Sequence, residues 1–231
     1  MNSAGLVITD IMPLTQTALM PKKIRKRTKK ELQSLESEFE RRDRAQAKVT
    51  RAFLKACNSV GKSQRKVIAN ISNSQWLHDF DQIDDDLAFE AESKKWDRLC
   101  NKFLRECSNR FELHLFAFDW NWDNGVDALK KLVNNNACDA GTALMIYWYS
   151  SPEYYTEYKA IKDCPEYNRD PMKLSRSIER KFSRGGFSTH SIPFDPTPWV
   201  TDEYDEYAVR QIPHVMFEPI ESKRTSVRKK K

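Results

Sequence analysis

Trp120-Asn121-Trp122-Asp123-Asn124-Gly125 and, one short helix later, Asn136-Ala137-Cys138-Asp139-Ala140-Gly141-Thr142-Ala143-Leu144 are the two stretches that decide how this chain folds. Both are polar turns. Between them Val126, Leu129 and Val133 recur at helical spacing, as an amphipathic helix requires. Asp123 is expected to cap that helix, and Asp139 the next one, with Thr142 in its first turn. Ala143 to Tyr149 is a continuous apolar run. Such a run faces in every direction on a helix, which marks a central buried element. Trp120 and Trp122 read as core anchors and Cys138 as a small buried thiol. Together with Asp123, Gly125, Asp139, Gly141 and Thr142 they form one structural motif: helices stacked antiparallel and joined by tight turns.

Upstream, Leu32, Leu35, Phe39, Val49, Phe53, Ala56 and Val60 lie on a 3.5-residue seam, predicting a helix from Glu31 to Val60. Gly61 ends it, and Ser63 is expected to cap a short helix through Ile71. Asp84-Asp85-Asp86 suits the positive end of a following helix, on which Trp96, Leu99, Phe103 and Cys107 recur. From Phe111 to Trp122 the spacing fits either a helix face or, over Phe111-Leu113-Leu115, a strand; the helical pattern on both sides favours helix. Downstream, Asp170-Pro171 reads as a cap followed by a first-turn proline, Leu174, Ile178 and Phe182 as a buried stripe, and Gly185-Gly186 as a stop. The prolines of Ile192 to Trp199 enforce extended chain, and Ile212 to Ile220 reads as a second extended stretch.

The expected class is therefore mostly α: an antiparallel helical stack with an N-terminal helical extension and a short extended, Pro-rich C-terminal region. The expected divisions are a basic arm at 1–30, the helical extension at 31–106, the patterned domain at 107–221 and a basic tail at 222–231. Of 231 residues, 39% are hydrophobic and 31% charged, enough for one core if the polar residues gather in the tails. Only six glycines argue against an all-β fold. No run of 18 apolar residues occurs, and the N-terminus lacks the basic-then-apolar pattern of a leader, so a cytoplasmic protein away from membranes is expected. Five scattered cysteines fit reduced thiols. The net charge of +6 hides a division. Residues 1–70 hold 16 Lys and Arg against 6 Asp and Glu, residues 107–221 hold 12 against 18, and the last ten residues add six cations. The chain is an acidic body with basic ends.

Chemistry is less legible. Asp119-x-Asn121-x-Asp123 opens like a calcium loop, but Asn124 stands where glycine is needed and Lys130 where the bidentate Glu belongs. Cys138 with His190 or His214 lacks the spacing of a nucleophilic set. His78, His114, His190 and His214 show no pairing that suits zinc. No phosphate-binding glycine motif is present. No catalytic residue, metal or cofactor is assigned on these grounds. Two surface features remain. Lys22, Lys23, Arg25, Lys26, Arg27, Lys29 and Lys30 place seven cations in nine residues, a segment suited to solvation or to phosphate contact. Asp202-Glu203-Tyr204-Asp205-Glu206-Tyr207 combines carboxylates that steer with tyrosines that supply area, a composition suited to a basic protein surface.

His114-Leu115-Phe116-Ala117, the 120–125 turn and the 136–144 turn together resemble a bacterial domain-of-unknown-function family marked by H-x-F-A…N-W-D-x-G…N-x-x-C-D-x-G-T-A-L. Ile178…Gly186-Phe187…Ile192-Pro193-Phe194-Asp195-Pro196 is similar to that family's C-terminal part. The resemblance spans about residues 107–220 and leaves the first hundred outside. It implies kinship and fold, and it brings no catalytic residues. Small domains of this kind resemble immunity and other interaction proteins near toxin systems, so a non-enzymatic protein that masks a basic toxin is the leading expectation. A nucleic-acid-associated protein acting through residues 22–30 is the alternative, and a hydrolase using Cys138 or His190 a third.

Overall fold

A computed structural model describes residues 29–73, 86–200 and 208–221. The molecule divides into two units, residues 1–38 and residues 39–231. Of the first, the described part is the opening of helix α1 (Lys29–Ser59), where the Ser37 hydroxyl donates to the Ser34 carbonyl at 2.8 Å. The second unit holds the core. Its elements are the rest of α1, α2 (Lys62–Ser72), α3 (Asp86–Glu106), α4 (Arg110–Phe118), a 3-10 turn at Trp122–Asn124, α5 (Asp127–Asn134) and α6 (Ala140–Tyr149). Three short 3-10 turns follow, at Pro152–Glu157, Ile161–Asp163 and Glu166–Asn168, then α7 (Arg169–Ser183) and a 3-10 turn at His214–Phe217. The fold is a mostly helical stack, as the periodicity predicts.

Helix α6 is its axis. Every residue from Ala140 to Trp148 is buried, which a helix apolar on all sides demands. Helices α4 and α7 pack on α6, α2 packs on α4, and α3 lies against α2 and α5. Leu113 to Ala117 of α4 are all buried, so this helix too is covered on most of its circumference. A run of rings ties the layers: Phe103 stacks on Phe116 at 5.4 Å, Phe116 meets Trp120 at 5.2 Å, and Trp120 stacks on Trp96 at 5.9 Å. Such pairs add about 1 kcal/mol each beyond the area they bury. Val49, Ala56 and Val60 of α1 belong to the same core as Leu144 and Ile178.

The buried faces keep part of the expected seams. On α1 the buried stripe is Ala45, Val49, Ala52, Ala56 and Val60, which retains Val49, Ala56 and Val60 of the seam, while Phe39 is 66% exposed. Alanines fill three of the five positions of this face. On α3 Cys100 and Leu104 are buried and Leu99 is half exposed. Three caps also differ. Gly61, not Ser63, is the N-cap of α2; Asn168, not Asp170, is that of α7; and Val126, not Asp123, precedes α5. Asp170 instead holds Lys173 at 2.8 Å and Lys130 at 3.5 Å. The stop at Gly185-Gly186 stands as expected: Gly185 takes φ +63°, its N–H reaches the Phe182 carbonyl, and the Gly186 N–H reaches that of Lys181, both at 2.9 Å.

The extended C-terminal region is pinned at several points. Phe194 and Ile220 form an antiparallel bridge. Lys48 of α1 reaches Asp195 at 3.0 Å and Glu221 at 2.9 Å. The Trp148 indole donates to the Met216 carbonyl at 2.9 Å, and Arg210 pairs with the buried Glu179, which also accepts from the Tyr147 hydroxyl at 2.8 Å. The stretch Ile212 to Ile220 is not extended throughout, since His214–Phe217 coil into the 3-10 turn that buries Met216. Among the described residues no helix is long and apolar enough to cross a membrane.

Candidate functional site

The 136–144 turn closes on itself as a clasp. Asp139 is fully buried and caps α6 by accepting from the Gly141 N–H at 3.0 Å. The same carboxylate accepts from the Ser191 N–H at 2.7 Å and the Ile192 N–H at 3.2 Å. The Ala140 N–H donates to the Thr189 carbonyl at 2.9 Å. Gly141 is required by close approach: a Cβ there would lie 1.8 Å from the Ile192 carbonyl oxygen. Thr142 meets Nδ1 of His114 at 3.0 Å, joining this turn to α4. Burial of His114 pushes its pKa down to about 4, so the ring is neutral, and its Nε2 has no hydrogen-bond partner. Cys138 is buried, its thiol pushed up to about 12 by desolvation and directed at the Asp139 carbonyl oxygen at 3.7 Å. A thiol held protonated is a poor nucleophile. The His190 side chain is exposed.

The 120–125 turn is different. Trp120 is buried and donates from its indole to the Gly125 carbonyl at 2.9 Å, with Gly125 at φ +72°. Asn121 caps the Trp122–Asn124 turn by accepting from the Asp123 N–H at 3.1 Å. Trp122 and Asp123, expected as core anchor and helix cap, are neither: Trp122 is half-buried and Asp123 exposed. Helix α4 ends at Phe118, so Trp122 lies on the 3-10 turn beyond it and not on the helix face of Phe111, Leu115 and Phe118. Asp119, the first residue of the calcium-like pattern, has its carboxyl pushed up to about 6 by burial.

Trp122, Asp123, Asp127, Tyr149, Tyr154, Tyr167, Asn168 and Asp170 are among the residues that line an open groove of about 690 Å³. Tyr167 is 78% exposed. Tyr149 is half-buried, with its hydroxyl pushed up to about 12 by desolvation. Ser151, at the groove's edge, takes the left-handed conformation at φ 53° and ends α6 so that Pro152 can begin the next turn. For a non-glycine residue this costs about 1 kcal/mol. No Lys or Arg lines the groove. Of its carboxylates, Asp127 is held by Lys130 at 2.9 Å and Asp170 by Lys173, whereas Asp123 has no ion pair among the described residues. Tyr167 and Asn168 carry no mark in the sequence pattern. The one signal is the second tryptophan of Trp-Asn-Trp, which packs against the core but is left half-buried.

Of the other expected sites, Asp202 to Tyr207 lie outside the described residues, as do Lys22, Lys23, Arg25, Lys26 and Arg27. Lys29 and Lys30 begin α1. Among the described residues no cluster of His, Cys, Asp or Glu is placed to hold a metal.

The fold is a mostly helical stack with a clasped turn before α6 and an open groove lined in part by aromatic residues. Residues 108–183, from α4 through α7, match the family model described as Domain of unknown function (DUF4274). No curated protein and no solved structure matches the chain.

Proposed function

We propose that this is a non-enzymatic interaction protein whose acidic, aromatic body binds a basic protein partner, in the manner of a bacterial immunity protein that masks a toxin. The observation that supports it is the groove at Trp122 and Asp123, where aromatic faces and carboxylates line one surface without a cation among them. Aromatic residues supply contact area at little entropic cost, and carboxylates steer a cationic partner. The 18 acidic residues against 12 basic in 107–221 extend the same field beyond the groove. The Asp202–Tyr207 segment is of the same composition. The test is retention on immobilised full-length chain with identification of what is bound. A basic protein is expected, kept equally by a variant in which the seven cations of residues 22–30 are replaced by Gln. Retention of nucleic acid alone, lost in that variant, overturns it.

The basic arm supports a second reading, a nucleic-acid-associated protein that contacts phosphates through Lys22, Lys23, Arg25, Lys26, Arg27, Lys29 and Lys30. It predicts affinity that falls steeply with salt by counterion release and vanishes with the Gln replacements.

A further inference from the structure

We infer that the groove beside the Trp122–Asn124 turn receives an arginine or lysine side chain carried on an extended segment of a protein partner. The inference rests on the reading of a basic protein partner and names where on the body that partner's cation lodges. Unspent polar groups converge there. The indoles of Trp96, Trp120 and Trp148 each donate to a backbone carbonyl, at 3.0, 2.9 and 2.9 Å. Trp122 has no such bond among the described residues. Asp123 is exposed and without an ion pair among the described residues, although its neighbours Asp127 and Asp170 both hold lysines. The Asn168 side chain makes no capping bond at the start of α7, leaving an amide able to give and accept.

Size and charge then choose the ligand. A groove of about 690 Å³ lies within the range of about 300–1,000 Å³ usual for small-ligand clefts and holds one long side chain with its flanking backbone. The exposed Tyr167 ring and the half-buried Trp122 indole offer flat faces on which a guanidinium stacks, and Asp123 supplies the opposite charge. A neutral sugar would stack on the aromatic faces and donate hydroxyls to the carboxylate but leave its charge uncompensated, and an anion would be repelled by it.

The experiment titrates the full chain with the blocked pentapeptide Gly-Arg-Gly-Arg-Gly, followed at the Trp122 indole N–H resonance. Its citrulline counterpart keeps the shape without the charge. The arginine peptide is expected to shift that resonance and to bind about tenfold more tightly than the citrulline peptide, the scale of a charge-assisted hydrogen bond. Asp123→Asn and Tyr167→Ala, both at exposed positions, each weaken it severalfold. Equal binding of the two peptides, indifference to both variants, or binding of maltotriose in place of the peptide overturns the proposal. If a basic protein is retained equally by the Asp123→Asn/Tyr167→Ala double variant, the groove assignment falls while the partner reading stands. If the peptide binds but no basic protein is retained, the partner reading falls and the groove stands.

Discussion

The two turns that flank α5 use the same vocabulary of Asn, Asp and Gly to opposite ends. In the 136–144 turn each Asp139 oxygen is taken by a backbone N–H, and the glycine is filled to contact by a carbonyl. In the 120–125 turn the indole of Trp122 and the carboxylate of Asp123 are left over, facing a groove. Buried polar groups without partners cost free energy, so a fold spends them wherever it can. Polar and aromatic groups left unspent at a concave surface support the proposal of a binding role there.

Gly141→Ala should break the clasp most severely. Its Cβ collides with backbone, the Ile192 carbonyl, and not with a side chain that could swing aside. A loss of about 3 kcal/mol or more is expected, read as a lower urea midpoint. Retention of wild-type stability would show that the 189–192 segment is not held against α6. Asp139→Ala follows at about 3 kcal/mol, since it leaves three backbone N–H groups with no acceptor.

The next test uses pH. His114 has its pKa depressed by burial to about 4, against about 6.5 unfolded. The unfolded chain therefore binds a proton that the folded one refuses. The stability is fully present above pH 6.5 and is lost as pH falls towards 4, about 2 kcal/mol of it by pH 5. Asp119 acts in the opposite direction. Its carboxyl, raised to about 6, is protonated first in the folded state, which gains stability as pH falls through that value, about 1 kcal/mol by pH 5. The two partly cancel in the parent protein. His114→Asn should remove the acid-side loss and Asp119→Asn should deepen it, measured by urea unfolding at pH 7 and pH 5. Parallel curves for the two variants would break the assignment.

The clasp was largely legible in the sequence and the groove was not, for a physical reason. A cap such as Asp139 is a local device: its residue type, its spacing to Gly141 and the apolar run behind it lie within a few positions. The second half of the clasp, Ser191 and Ile192, arrives from fifty residues away and leaves no mark beyond Gly141 itself. The groove is assembled wholly at long range. Trp122 and Tyr167 come from two separate 3-10 turns and Tyr149 from the end of α6, and no periodicity links them. Asp123 and Asp170 illustrate the same limit from the other side. Each has the composition of an N-cap, yet Val126 stands before α5 and Asn168 before α7. Competing cap positions a few places apart cannot be ranked without the backbone.

The smallest expected effect sharpens the contrast between the turns. Asp123→Asn and Tyr167→Ala remove a side chain or charge that holds nothing in the folded body, so each should change stability by no more than about 0.5 kcal/mol. Trp122→Ala should cost somewhat more, because one face of the indole packs on the core. The comparison with Asp139→Ala is the decisive one: two aspartates sixteen positions apart in matching turns, one worth about 3 kcal/mol and the other nearly nothing. If Asp123→Asn proved as destabilising as Asp139→Ala, the carboxylate would be spent on the fold after all. It would then not be available to a partner's cation, and the groove would lose its claim to be more than an irregularity of the surface.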